Sequence, residues 1–554
     1  MNATCIGTEG MKLYTKDYIK FKLLDETGLT VKEFIGVEHA KHALPGDEVD
    51  ENCRLIKRAE HPPIVGILHL QSKTKYGMTS RGFPVYLFEP LNKAYPIMIA
   101  GSNEKGATTN MIAVARFESW EPDSKYPRAS VMNIVGPCGD LSVEREALLL
   151  RYSPWKYPKT YEISTSYSVA LKNRHTLKGF TFNIDPPGCE DVDDVFTIEK
   201  LDADNWALTI SITDVATAIE DGSPLDLYAQ KVGQSLYPSG AKPKHMLPPS
   251  LSTSALSLLP AHQRNCISLR IQWLSITGEL STPEFILTRA SVDKAYTYDE
   301  AQEEEREEFK ILKQITERIA GKILETSEEW VEALMIFYNK NVGKLLKQFN
   351  VGILRSHAAP DRERLERWTT IDPTLKMLAY SAATYAPGDT ASSHWGLGLD
   401  EYAHASSPLR RYADLYNQRC ILKIINHDDL DKTTLSDCNT LNTLQKDAKS
   451  FERDMFFLHA LAEVRWRPVH ATLLEIQHEK QAIQCWVPTW NRVIRVRCSL
   501  DGDNIKPRDN SEPFAVTVGQ TIYLSYHVQW QNARWKDKIV FNISPRDEGR
   551  GYPG

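Results

Sequence analysis

Residues 183 to 194 read Asn-Ile-Asp-Pro-Pro-Gly-Cys-Glu-Asp-Val-Asp-Asp, with five acids and no Lys or Arg over 185–194. Carboxylates packed this closely repel one another unless a cation sits among them. Pro186-Pro187-Gly188 cannot be helical. Asp185 is therefore expected on a strand end or loop, from which the chain can fold back and bring Asp191, Asp193 and Asp194 beside it. Hard divalent ions take oxygen ligands, often few from protein. Ions held this way generate hydroxide and stabilise a pentacovalent phosphate. On these residues alone two readings stay open, a phosphoryl-transfer metal centre and an acidic surface loop or calcium site. An EF-hand is excluded, because D-x-D-x-D-G and its closing Glu are absent.

A second stretch, Tyr402-Ala403-His404-Ala405-Ser406-Ser407-Pro408-Leu409-Arg410-Arg411-Tyr412-Ala413-Asp414, carries a helix-start pattern. Ser407 as N-cap and Pro408 at the first helical position predict a helix beginning here. Arg410 and Arg411 would then fall in the first turn. Cations are unfavourable at that end of a helix unless an anion binds there. The alternative is that Arg410 only pairs with Asp414 at i+4.

The rest of the chain sets the frame for these two motifs. It has 554 residues and a net charge of -6, and its 42% hydrophobic and 25% charged content exclude general disorder. No apolar run approaches the roughly 18 residues of a membrane span, and the first twenty residues hold no apolar core of a secretory signal. Nine cysteines without C-x-x-C pairs suit a reducing compartment. Residues 10 to about 150 read as short strands with frequent turns, enough for two small barrels with a break near Pro62-Pro63. From 165 to 460 strands give way to long helical stretches, 299–347 and 440–464 among them, which implies one large α+β domain. The run Glu303 to Glu308, with Arg306 inside it, is expected to open the first long helix, on a solvated face. Five strands return between 465 and 546, where twelve Lys and Arg against seven Asp and Glu leave a net charge of +5. Trp486, Trp490, Trp530 and Trp535 lie among them. Basic side chains with aromatic platforms suit single-stranded nucleic acid, although core tryptophans of an ordinary barrel would give the same pattern.

Taken together, the two motifs resemble the ribonuclease II / ribonuclease R (RNB) family, whose members include the catalytic subunit of the eukaryotic RNA exosome. Asp185 to Asp194 match D-P-P-G-x-x-D-I-D-D with Val192 for isoleucine. Tyr402 to Asp414 match Y-T-H-F-T-S-P-I-R-R-Y-A-D with Ala405 in place of an aromatic. Leu236-Tyr237, His245-Met246-Leu247-Pro248-Pro249, Tyr298-Asp299, Glu332 with Met335 and Asn339, and Arg355-Ser356-His357 also fit in order. The resemblance implies a multidomain chain: cold-shock/OB-type β-barrels at 10–58 and 59–150, a central α+β RNB catalytic domain at 160–462, and a C-terminal OB-type barrel at 465–546. No N-terminal endonuclease domain of the exosome-subunit kind is expected.

In function, the resemblance implies Mg²⁺-dependent, Mn²⁺-tolerant hydrolysis of single-stranded RNA from its 3′ end to nucleoside 5′-monophosphates. Asp185, Asp191, Asp193 and Asp194 would hold the metal, with Asp193 the most critical. Arg410 would contact the scissile phosphate, with Arg411 also on the RNA. Tyr237 would stack on the terminal base, and Tyr298 and Glu332 would line the terminal nucleotide's pocket. The 320–400 region is shorter than the family pattern, which predicts a weaker clamp on the terminal bases. The rival is a catalytically silent RNA-binding relative. A cytoplasmic or nucleocytoplasmic setting is expected, with membership of a larger RNA-decay complex left open.

Overall fold

The computed structural model describes residues 10–104, 109–260, 262–462, 468–506, 512–533 and 535–545. The chain divides into two compact units, one of residues 1–154, 359–381 and 451–554, the other of residues 155–358 and 382–450.

The first unit is built of small antiparallel sheets. In the N-terminal sheet the spatial order is Thr30–Ile35, Lys20–Leu24, Met11–Thr15, Glu48–Val49 and Leu55–Lys57. Alternation along the strands sends Leu13, Phe21, Leu23 and Val49 into a common core. Among the described residues the edge strands are not paired with each other, and Lys32 Nζ spans the seam to the Glu51 carbonyl at 3.0 Å. Asp47 is the polar anchor of this sheet, wholly buried, accepting the Leu44 N–H at 2.7 Å and the Ala59 N–H at 2.9 Å, with Arg58 and His61 alongside.

The second sheet closes into a barrel of Ile64–Leu68, Val85–Pro90, Met98–Gly101, Met111–Ser119 and Arg128–Pro137, with a parallel pairing of Arg128–Ser130 to Ile99–Gly101 completing the ring. Gly66 is required there, since a Cβ would stand 2.5 Å from the Glu89 carbonyl oxygen. Asp140 then caps the Leu141–Tyr152 helix by accepting the Ser142 and Val143 N–H groups. On this helix Glu144 receives Lys538 Nζ at 2.7 Å on both carboxylate oxygens, an ion pair with both partners almost fully buried.

Near the C-terminus Arg492–Arg497, Ala482–Val487, Val469–Gln477, Thr521–Val528 and Ile539–Ser544 form a five-stranded sheet in that order. A small three-stranded sheet at Ser499–Asp501, Asn504–Lys506 and Phe514–Ala515 accompanies it, which the sequence reading did not foresee. Trp490 is not a free platform. It is enclosed by the rings of Phe456, Phe457, Tyr526 and Phe541. Trp486 packs beside Trp368 and Leu474, Trp530 has Lys538 over its ring at 5.7 Å, and the Trp535 side chain lies outside the described residues.

The second unit is a mixed sheet covered by helices. Its order is His175–Thr176, Glu284–Ala290, Arg264–Leu274, Asn205–Thr213, Asp194–Lys200, Phe180–Asp185 and Lys294–Thr297. The central Asn205–Thr213 strand is buried on both faces, as its run Trp206 to Ile212 demands. Phe182, Phe196, Ile210 and Leu269 pack from the sheet against Phe309, Leu312, Leu334 and Tyr338 from the helices.

The expected continuous helix over 299–347 is broken twice, into Tyr298–Glu303, Glu307–Ala320 and Ser327–Phe349. Glu304 leaves the helix to accept the Tyr296 hydroxyl at 2.7 Å, Gly321 ends the second segment in the left-handed region at φ 68°, and Thr326 with Glu329 restarts the third through a capping box. The acidic run is thus divided: Glu303 ends one helix, while Glu307 and Glu308 open the next.

Among the described residues no helix is long and apolar enough to cross a membrane.

Candidate active site

The acidic motif occupies the turn between two adjacent strands of the second unit. Phe180–Asp185 ends at Asp185, Cys189 N–H donates to the Pro186 carbonyl at 3.1 Å to close the turn, and Asp194 begins the next strand. Gly188 sits at φ 79°, a conformation that favours glycine. Val192 pins the loop. Its side chain is buried, its N–H donates to Ser257 Oγ at 3.0 Å, and its carbonyl accepts the Leu258 N–H at 2.9 Å. With Val192 turned into the core, Asp191 and Asp193 on either side of it both reach the cavity. Asp185, Asp191, Asp193 and Asp194 line one cavity of about 610 Å³, whereas Glu190, the fifth acid, is exposed and lies outside its lining.

Tyr237, Tyr298, Glu332, Arg410 and Arg411 line the same cavity, so the structure brings together every candidate residue of the sequence reading. Tyr298 is the first residue of its helix, and Glu332 projects from the Ser327–Phe349 helix with Met335 and Asn339.

The second motif differs from expectation in its backbone. The helix begins at Tyr412, Arg411 is its extended N-terminal residue at φ -136°, and residues 408–410 form a turn. A bridge between Gln234 and Arg411 holds the chain extended there, reinforced by the Ser235 N–H donating to the Arg410 carbonyl at 2.9 Å. Ser407 therefore does not cap, and neither arginine lies within the helix. Asp414 accepts both the Ser407 N–H and Arg411 Nη2 at 2.8 Å. Arg410 does not pair with Asp414. Its Nε lies 3.5 Å from Asp193 Oδ2, and its Nη2 donates to Ser407 Oγ at 3.0 Å. Arg410 remains 45% exposed and open to the cavity, while Arg411 is largely buried and committed to Asp414.

Electrostatics single out the carboxylates. Burial pushes the Asp193 carboxyl up to about 8, against the opposing pull of Arg410 and of the Leu409 N–H that donates to its Oδ1 at 2.9 Å. Burial and then the neighbouring Asp185 and Asp193 raise Asp194 well above the ordinary carboxylate range, and burial raises Asp185 as well. Asp191 goes the other way. Burial acts to raise it, but His245 and the Tyr237 hydroxyl outweigh that and hold it below its ordinary value.

Three acids held above their normal range, Asp193 buried and Asp185 and Asp194 partly so, facing one arginine, are a donor set suited to a hard divalent cation. Asp185 accepts Asn183 Nδ2 at 2.7 Å, and the buried Asn183 amide oxygen has no hydrogen-bond partner among the described residues. Among the described residues no three His, Cys, Asp or Glu side chains already converge on one metal position. That is compatible with an ion such as Mg²⁺, which uses one or two carboxylates and completes its shell with water and phosphate.

The cavity also holds residues to which the sequence reading gave no role. Asn339 is buried and joins helix to motif: its Nδ2 donates to Ser406 Oγ at 3.0 Å and its Oδ1 accepts the Ala405 N–H at 2.9 Å. His404 lines the cavity beside the Tyr385 hydroxyl at 3.1 Å, its pKa lowered by burial and then by Arg411 and Arg355, so it stands as a neutral ring. His245 lies outside the cavity's lining but stands 3.6 Å from Asp191 Oδ2. It sits in a proline-rich loop with no periodicity, and the family pattern marked it only as the first residue of His245-Met246-Leu247-Pro248-Pro249.

The RNB domain model matches residues 174–311 and 304–427, and the Dis3-like cold-shock domain 2 (CSD2) model matches residues 85–153. Exosome complex exonuclease RRP44 homolog A of Arabidopsis thaliana is 25% identical over 507 residues, covering 73% of this chain and 53% of its own length. The chain spans about half the length of the curated relatives it matches. Among solved structures, Mycoplasma genitalium RNase R in complex with ribose methylated single-stranded RNA superimposes with a TM-score of 0.71 at 16% identity, over 97% of this chain and 100% of that one. Yeast Ssd1, a pseudonuclease, does so with a TM-score of 0.64 at 14% identity, over 93% of this chain and 81% of that one. Likenesses at these identities establish the fold.

Proposed function

The chain belongs to the RNB-domain family, and from that premise we propose that it is a divalent-metal-dependent exoribonuclease hydrolysing single-stranded RNA from the 3′ end to nucleoside 5′-monophosphates. The observation that carries this reading is the meeting of four carboxylates, Arg410 and Tyr237 in one cavity. Asp185, Asp191, Asp193 and Asp194 are the residues that would hold Mg²⁺, or Mn²⁺ in its place. The ion supplies an activated water and neutralises charge on the phosphate.

The chain's own groups do the rest. Arg410, half exposed beside Asp193, is placed to contact the scissile phosphate and to stabilise charge as it develops. Tyr237, 46% exposed, offers its ring to the terminal base while its hydroxyl stays on Asp191. Tyr298 and Glu332 line the space for the terminal nucleotide. Arg411 serves best as a strut, since its guanidinium belongs to Asp414.

A silent RNA-binding relative is the second reading, because the same fold is borne by a yeast pseudonuclease. Retention of all four aspartates and Arg410 favours the enzyme. A cytoplasmic or nucleocytoplasmic setting and membership of a larger RNA-decay complex belong to this proposal, the latter from relatives named as exosome complex exonucleases. The test is a 5′-labelled, single-stranded RNA incubated with Mg²⁺. Progressive shortening from the 3′ end is expected, and binding without shortening would establish the silent relative instead.

A further inference from the structure

Leu236 and Lys244 form an antiparallel bridge, with N–H to carbonyl distances of 2.9 and 2.8 Å, and this closes the loop that separates Tyr237 from His245. The two rings meet edge to face, with centroids 6.3 Å apart and planes at 87°. Their backbone is fixed from three sides: Met246 N–H donates to Ser235 Oγ at 2.8 Å, Ser235 N–H to the Arg410 carbonyl at 2.9 Å, and the Tyr157 hydroxyl to the His245 carbonyl at 2.7 Å. Both side chains end on one atom. The Tyr237 hydroxyl donates to Asp191 Oδ2, and His245 Nδ1 stands 3.6 Å from that same oxygen. This Nδ1 is buried, the residue is 7% exposed, and the nitrogen has no hydrogen-bond partner among the described residues. Buried ring nitrogens are normally satisfied, and this one faces the Asp191 carboxylate.

We propose that His245 is a positioning residue for Asp191: with Tyr237 it fixes Oδ2, leaving Oδ1, which the Cys189 thiol approaches at 3.9 Å, as the oxygen offered to the divalent cation, and it braces the Tyr237 ring so that base platform and metal ligand share one support. This rests on the proposed metal-dependent function. Groups that orient a metal ligand typically change affinity by about 10–100-fold when removed.

The test compares wild type with His245→Ala, His245→Phe and His245→Asn, reading Mn²⁺ binding by electron paramagnetic resonance without RNA, and folding by thermal melting. His245→Phe keeps a ring against Tyr237 but no donor, whereas His245→Asn can place an amide nitrogen near the position of Nδ1. The alanine and phenylalanine variants are expected to bind Mn²⁺ at least about tenfold more weakly, with asparagine close to wild type. Wild-type binding by His245→Phe, or equal weakening in Phe and Asn, overturns the inference. Should His245→Ala fail to fold, the Phe and Asn pair decides. If wild type itself binds no Mn²⁺, the proposed function fails first, an outcome distinct from a variant that behaves as wild type.

Discussion

Replacing Asp193 with asparagine should stabilise the metal-free protein while abolishing its chemistry. In the folded state the Asp193 carboxyl keeps its proton up to about pH 8, whereas the ordinary carboxyl releases it near 3.8. Folded protein therefore binds more protons across that window, and stability falls as pH rises from about 4 to about 8. At pH 7 roughly three units of this linkage are engaged, a ceiling of about 4 kcal/mol at 1.36 kcal/mol per unit. Water in the cavity and rearrangement of Asp191 and Asp194 reduce this to about 1–3 kcal/mol. Asparagine has nearly the same shape, keeps an oxygen for the Leu409 N–H, and removes the titration. The assay is thermal melting of both proteins in chelator at pH 5 and pH 7.5. The Asp193→Asn protein should melt higher, by a margin that widens with pH, while saturating Mg²⁺ should stabilise wild type alone. A variant no more stable than wild type at the higher pH, or a margin that does not widen, would refute the reasoning.

Three further outcomes are expected. Arg410→Ala should lower single-turnover cleavage by about 10²–10³-fold, with Arg410→Lys recovering part of it. Lys538→Met leaves the buried Glu144 carboxylate without its cation and with the Gly139 N–H still donating to it, so denaturant titration should show a loss of about 3–5 kcal/mol, largely restored in a Glu144→Gln/Lys538→Met double variant. Asp47 is buried, yet donors from His61, Leu44 and Ala59 together with Arg58 hold its carboxyl below 3.8. Its contribution is present above that value and lost as pH falls through the lower folded one. Acid melts from about pH 5 down to about pH 3 should therefore destabilise wild type more steeply than Asp47→Asn.

The geometry of the candidate site was legible where local constraint was strong. Pro186-Pro187-Gly188 can only turn, and the turn brings Asp191, Asp193 and Asp194 back beside Asp185. The strands of the last sheet likewise followed their alternation. The start of the 412–426 helix was not legible, because Ser407-Pro408 is a sound N-terminal signal locally and is overridden by a backbone bridge to Gln234, far away in sequence. Asn339 and His245 were named only as members of the family pattern, and their roles were not legible for the same reason. Their partners lie 67 and 54 residues away, and no spacing along the chain announces such a contact. For the tryptophans of the C-terminal segment the sequence left two readings open, stacking platforms or core side chains, and Trp490 takes the second, packed against the core of its sheet.

The central claim is hydrolysis at the Asp185–Asp194 cluster, and one measurement addresses it most directly. A single-stranded RNA labelled in its 3′-terminal nucleotide is incubated with Mg²⁺, and the first labelled product is identified by chromatography, for wild type and Asp193→Asn side by side. Wild type should release a labelled nucleoside 5′-monophosphate and the variant none. A 5′-monophosphate released equally by both proteins, or a wild type that leaves the label in intact RNA, would contradict it.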